Sequence, residues 1–368
     1  MRILFIANAS SSHTVKWVNA LAKEDYEVHL VYNANDQPHE NEISPKVILH
    51  QLKVSGNIGY FLNCFELKKL SKRIKPDIAN AHYASGYGTL ARLSKVKPLV
   101  LSVWGSDVYD FPYQSKQKME LVKRNLLYAD KIASTSHAMA KQVKRILDNE
   151  NINVSVTPFG VDLGVFKKKN REYCRKEIVI GNVKSLKLVY GIEYLILSMD
   201  ELLKRLRKNE QYDIANNIKL KIYGDGDQKK TLEDLIKRLG LQQSVQMMGE
   251  ISQHLVPSAL DDIDVFCVTS IQESFGVSLI EAMAHEIPIV SSDAEGFKEV
   301  NIDKITGFVV PCKDYNATAD ALEKLIDDLE LRKKMGENGR KRVIENYDWN
   351  KNVQLMINIY KEVIDNNK

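Results

Sequence analysis

The sequence predicts an α/β protein of two domains, each a parallel β-sheet covered by helices on both faces. Three observations lead there. Short apolar, β-rich runs alternate with amphipathic helical patterns along the chain. The rhythm restarts after residues 167–175, which are charged and poor in aliphatic side chains, as an interdomain connection should be. The 368 residues, 44% of them apolar, suffice to bury two sizeable cores.

The first domain opens with an apolar run at 3–7 that reads as a strand buried on both faces. A polar turn leads to a helix over 14–23 and a strand over 27–32. A helix over 60–74 follows, then strands over 77–81 and 99–103. Helices over 116–128 and 138–147 alternate with strands over 131–135 and 154–157. Pro158-Phe159-Gly160-Val161-Asp162 closes this half. The second series places strands at 178–183, 218–223, 245–248, 265–268 and 287–291, with helices at 193–208, 229–239 and 277–285 between them. A long last helix over 351–365 carries Val353, Met356, Ile357 and Tyr360 on one stripe. In such sheets ligands bind beyond the carboxyl ends of the strands, so two domains of this kind are expected to present a cleft lined by the loops after their strands.

Composition removes several classes. Lys and Arg total 52 against 48 Asp and Glu, and an excess of +4 does not argue for nucleic acid. Cys64, Cys174, Cys267 and Cys312 are too far apart for a CxxC pair, so neither a zinc site nor a disulfide framework is expected. The apolar start is broken by Asn8 and the serines at 10–12, unlike a signal peptide, and no apolar run reaches membrane-spanning length. A cytoplasmic protein is expected, with the inner face of the cell membrane as an alternative.

The strongest chemical signal is Glu273-Ser274-Phe275-Gly276-Val277-Ser278-Leu279-Ile280-Glu281, which follows the strand near 268. Two acids eight positions apart flank a glycine at a helix start, and eight helical residues rise about 12 Å. That span suits contacts at opposite ends of a nucleotide sugar, with a diphosphate at the free N–H groups near Gly276. Glu273 would accept from sugar hydroxyls and Glu281 from the ribose. An ordinary amphipathic helix with two solvated acids has the same spacing, so spacing alone does not decide.

The segment resembles the E-x7-E motif of the family 4 retaining glycosyltransferases, and other segments match that family in the same order over nearly the whole chain. The opening strand with Ser11 and His13-Thr14-Val15-Lys16-Trp17 resembles the first acceptor-side loop. Trp104-Gly105-Ser106-Asp107 resembles the GSD segment of a subset, and Pro158–Asp162 with Phe166 the PxGVD…F hinge. Tyr223-Gly224-Asp225-Gly226 and Met248-Gly249-Glu250-Ile251 are similar to donor-domain strand ends. The resemblance implies the GT-B fold: two facing Rossmann-like domains, 1–165 on the acceptor side and 166–346 binding the donor, with residues from about 347 to 368 crossing back to the first.

The resemblance also implies site residues. Ser274, Phe275, Gly276, Val277 and Glu281, with Gly224, Glu250 and Ile251, would bind the donor. Family members carry an Arg and a Lys in the loop after the first strand of the donor domain. Here Lys184 stands at the Arg position and Tyr190 replaces the Lys, so Lys187 is the expected second cation for the diphosphate. Many relatives have a His where this chain has Trp104, and Asp107 and His82 are the groups expected to act there beside Glu273. Ser11 and His13 would face the acceptor. No DxD motif stands by a first-domain strand, and neither a metal nor a cofactor is expected beyond the nucleotide-sugar co-substrate.

The function so implied is transfer of a hexose or N-acetylhexosamine from a UDP- or GDP-sugar to a saccharide or lipid-linked acceptor, in polysaccharide, lipopolysaccharide or glycolipid assembly. Two rivals are a sugar-nucleotide 2-epimerase on the same fold and a non-catalytic nucleotide-sugar-binding module. Residues 60–75 mix apolar and basic side chains at helical spacing. A core-facing helix with a solvated basic face is the preferred reading, and peripheral membrane contact is the alternative.

Overall fold

The computed structural model describes residues 1–167 and 177–368. All but the first residue of the charged connection, Cys174 included, lie outside them. By contacts the chain divides into two units: Met1–Pro158 with Lys351–Lys368, and Phe159–Asn350.

The first unit holds a seven-stranded parallel sheet: β1 (Arg2–Ile6), β2 (Glu27–Asn33), β3 (Ile48–Leu52), β4 (Ile78–His82), β5 (Leu99–Val103), β6 (Lys131–Ser134) and β7 (Val154–Val156). The strand order is β3-β2-β1-β4-β5-β6-β7. Strands β1, β4 and β5 are buried almost throughout, which explains their unbroken apolar runs. The second unit holds β8 (Ile178–Val183), β9 (Ile218–Tyr223), β10 (Val245–Gly249), β11 (Val265–Val268), β12 (Ile289–Ser292) and β13 (Gly307–Val310). Its order is β10-β9-β8-β11-β12-β13, again parallel throughout. Each sheet reverses direction once, between β1 and β4 and between β8 and β11. Those switch points are where open α/β sheets leave a crevice for a ligand.

Several expected elements differ. The single helix over 60–74 is two helices, Gly56–Leu62 and Cys64–Ile74. Asn63 breaks them apart: its amide donates to the Val54 carbonyl at 2.8 Å and to Asn33 at 2.9 Å, and accepts from the Val54 N–H at 3.0 Å. The core-facing reading holds for the second of these helices, which buries Leu67, Leu70 and Ile74 and exposes its basic face, while Phe61, Leu62 and Phe65 are exposed as well. Strand β12 begins at Ile289 rather than 287, after Pro288, which has no N–H for the ladder. Strands β3 and β13 and the helices Tyr315–Asp327 and Leu329–Asn346 were not anticipated. The last of these docks through small residues: a Cβ on Gly336 would meet the Glu286 carbonyl, and Gly339 lies against Met283.

The last helix, Trp349–Asp365, passes from the second unit into the first. Val353, Met356, Ile357 and Tyr360 are buried, the predicted stripe. Glu362 pairs with Lys131 at 3.0 Å, and Gln354 donates to Glu24 at 3.0 Å.

Candidate functional site

In the second unit, Lys184 follows β8 and Glu273 follows β11, the two strands at the switch point. Their side chains meet, with Lys184 Nζ 2.5 Å from Glu273 Oε2. The side chains are 17% and 12% exposed, so the pair is largely shielded yet within reach of solvent. The Lys184 ammonium also lies over the Tyr190 ring, 4.2 Å from its centroid. Tyr190 is the position where family resemblance called for a second Lys. The aromatic face replaces that charge with an attraction for the one that remains.

Backbone geometry explains how Lys184 is held. Its N–H donates to the Tyr223 carbonyl at 2.9 Å, tying its loop to the end of β9. Gly224 comes next, at φ +151°, and a Cβ there would lie 2.0 Å from the Lys184 carbonyl oxygen. Only glycine allows the two loops this approach.

Gly276 caps the helix Val277–Ala284 at φ +112°, and its missing Cβ leaves room for the Phe297 ring. The helix start presents N–H groups without intrahelical partners, beside Ser274 and Glu273. The Glu273 Oε1 accepts from the Ser274 N–H at 3.3 Å. The Phe275 side chain is buried against Phe159 and Tyr347, which anchors the loop and leaves only its backbone for a ligand. Val277 is half-buried in the first turn. Glu281 lies further along the helix, nearly buried, and accepts from Gln253 Nε2 at 2.8 Å. Gln253 had no signal in the sequence, since its contact with Glu281 spans 28 positions. Glu250 is exposed and Ile251 half-buried just after β10. Lys187 is exposed and forms no ion pair among the described residues, whereas Lys184 does.

In the first unit, the expected residues also gather at the switch point. Ser11 and His13 follow β1, His82 ends β4, and Asp107 follows β5. Ser11 is the N-cap of the helix Ser12–Lys23. The His82 ring lies 4.3 Å from Trp104 and 5.1 Å from Phe5 between centroids, and His13 stands edge-on to Trp104 at 5.1 Å. Desolvation, with His13 adding a little, lowers the His82 pKa to about 3. Desolvation and Lys16 lower that of His13 to about 4. Both imidazoles are therefore neutral at pH 7. His82 Nδ1 is buried and has no hydrogen-bond partner among the described residues.

Asp107 is 1% exposed, and its carboxylate accepts from three backbone N–H groups: Ala84 at 2.7 Å, Gly105 at 2.9 Å and Trp104 at 3.1 Å. Burial raises its pKa and those hydrogen bonds oppose the rise. These bonds brace the loops after β4 and β5 against each other. Among the described residues, no group of three His, Cys, Asp or Glu side chains is arranged to hold a metal ion.

Comparison with known proteins decides the family. The model for glycosyl transferases group 1 matches residues 166–342, and that for glycosyl transferase 4-like proteins matches residues 2–136. This chain belongs to the family-4-type, group 1 glycosyltransferases. Over 362 residues the glycosyltransferase is 24% identical to N-acetyl-α-D-glucosaminyl L-malate synthase of Bacillus anthracis, covering 95% of its own chain and 92% of that one. It is 27% identical to the capsular polysaccharide biosynthesis glycosyltransferase CapM of Staphylococcus aureus, covering 89% and 87%. The crystal structure of Anabaena HepE in complex with UDP and glucose superimposes with a TM-score of 0.79 at 17% identity, over 98% and 99% of the chains. The fold is GT-B, as the family resemblance implied. Relatives of the glycosyltransferase act in bacterial polysaccharide and glycolipid synthesis.

Proposed function

We propose that this glycosyltransferase moves a hexose or N-acetylhexosamine from a UDP- or GDP-sugar to an acceptor hydroxyl, retaining the anomeric configuration and using no metal ion. The observation that carries the reading is the Lys184–Glu273 pair at the carboxyl ends of adjacent strands, beside a glycine-capped helix start. A diphosphate at that helix start competes with Glu273 for the Lys184 ammonium. Once Lys184 turns to phosphate, the Glu273 oxygens are free to accept from sugar hydroxyls. Glu281 receives the ribose hydroxyls, with Gln253 orienting its carboxylate. As the bond from the anomeric carbon to the leaving phosphate oxygen breaks, Lys184 and the helix N–H groups hold the developing charge. The acceptor oxygen bonds to the same face, and its proton passes to the departing diphosphate.

HepE, named in complex with UDP and glucose, favours a uracil nucleotide, and CapM favours a polysaccharide acceptor. The reaction then belongs in the cytoplasm, at the inner face of the cell membrane where lipid-linked acceptors are exposed. Thermal unfolding in EDTA with UDP, GDP, ADP and their sugars tests the donor. A ligand at a hundred times its Kd stabilises by about 2.7 kcal/mol, so the correct base stands out. UDP or GDP is expected to raise the melting temperature. A rise with ADP alone, or with no nucleotide, overturns the assignment, and isomerised sugar nucleotide formed from donor alone favours the epimerase.

A further inference from the structure

The first unit carries a surface that includes none of the candidate site residues. On the helices Gly56–Leu62 and Cys64–Ile74, Ile58 is 60% exposed, Phe61 48%, Leu62 53% and Phe65 79%. Ile58, Phe61 and Leu62 fall at i, i+3 and i+4 and form a stripe on the first helix, and Phe65 follows just past the break at Asn63. Ile48 and Leu49 on the edge strand β3 are exposed as well. Next to it lies a groove of about 830 Å³ lined by Leu49, Leu52, Leu62 and Phe65 together with Lys69 and Arg73.

The charge around this stripe is one-sided. Residues 53–75 hold six basic side chains, Lys53, Lys68, Lys69, Lys72, Arg73 and Lys75, against the single acid Glu66. All six are exposed, and none is in an ion pair among the described residues. The formal excess of the entire chain is only +4, so this segment carries more positive charge than the protein as a whole.

We infer that this face docks onto an anionic lipid bilayer, with Phe61, Leu62 and Phe65 entering the headgroup region and the basic residues meeting lipid phosphate. The proposal rests on the membrane location given above and names the surface responsible. Charge complementarity selects the occupant. A second copy of the chain would bring the same basic patch against itself in a two-fold contact. A nucleic acid would satisfy the lysines and leave four large apolar side chains in water. An anionic bilayer satisfies both.

Cosedimentation of the full chain with lipid vesicles tests this and needs neither donor nor acceptor, so its failure is separable from failure of the transfer reading. The vesicles are phosphatidylcholine alone, or phosphatidylcholine with about one third phosphatidylglycerol. Two variants are compared: Phe61→Ser with Phe65→Ser, and Lys68→Gln with Lys69→Gln and Lys72→Gln. All five side chains are exposed, and unchanged melting temperatures verify the fold. Wild-type protein is expected to bind the anionic vesicles about tenfold more tightly than the neutral ones, and each variant to lose about tenfold on the anionic vesicles. Equal binding to both vesicles, or variants that bind like wild type, overturns the inference. So does a dimer in sedimentation velocity that the phenylalanine variant abolishes.

Discussion

Each unit places a carboxylate after a strand near its switch point, and the two are held in opposite ways. Asp107 in the first unit is sealed from solvent by three backbone N–H groups, which cannot leave without moving the loops. Glu273 in the second unit is held mainly by one lysine side chain, which can swing to another anion. Around Asp107 stand neutral imidazoles and rings, and around Glu273 a charged partner and a helix start. Backbone donors make a carboxylate part of the frame, whereas a side-chain donor leaves it exchangeable.

The largest effect should come from breaking the frame. Asp107→Ala strands three buried N–H groups and is expected to cost about 3–5 kcal/mol. At about 2–4 °C per kcal/mol, calorimetry should show a drop near 10 °C. A variant that melts like wild type but transfers no sugar would place Asp107 in the reaction and erase the contrast.

Glu273→Ala tests the other side. Transfer should fall by about two to three orders of magnitude, roughly 3–4 kcal/mol in the barrier. The melting temperature should move by only a few degrees, because Lys184 can turn to solvent or to the Tyr190 ring. Steady-state rates with wild-type transfer would remove Glu273 from the site.

Acid should separate the units further. The His82 pKa lies below its unfolded value, so the unfolded chain takes up that proton first as pH falls. The stability it contributes is full above about 6.5 and declines toward about 3. By pH 4 the loss from this group is about 3 kcal/mol. His82→Phe keeps a ring beside Trp104 and removes that loss, and denaturant titrations at pH 7 and pH 4 would show it. An unchanged pH dependence would mean that His82 takes up its proton equally in the folded and unfolded chain. The smallest expected effect is Tyr190→Leu, which removes the ring beneath Lys184 and should raise KM for the donor about threefold to tenfold. No change would leave the aromatic substitution without a role.

The strands with clear apolar runs and the motif at 273–284 were legible because each obeys a local rule, burial on both faces or helix capping. Strand β3 was not, since as an edge strand it keeps most of its side chains exposed. The helix Leu329–Asn346 was missed because glycine contacts replace an apolar stripe. Lys184 and Glu273 were each singled out, but their meeting across 89 positions depends on the order of strands in the sheet, which no window of sequence contains. The backbone partners of Asp107 were not legible for a related reason. A carboxylate in a GSD segment looks the same in sequence whether backbone or substrate satisfies it.

The passage of the last helix between units has a consequence for how the chain comes into being. Tyr360, Val353 and Ile357 complete the buried surface of the first unit, yet the ribosome makes them after all of the second unit. At about 5–20 residues per second, the 192 residues of Phe159–Asn350 occupy the exit tunnel and its surroundings for tens of seconds at the slower rate. Throughout that interval the earlier half waits with an apolar seam uncovered. The second half has its whole core available sooner, so the order of maturation runs opposite to the order of translation.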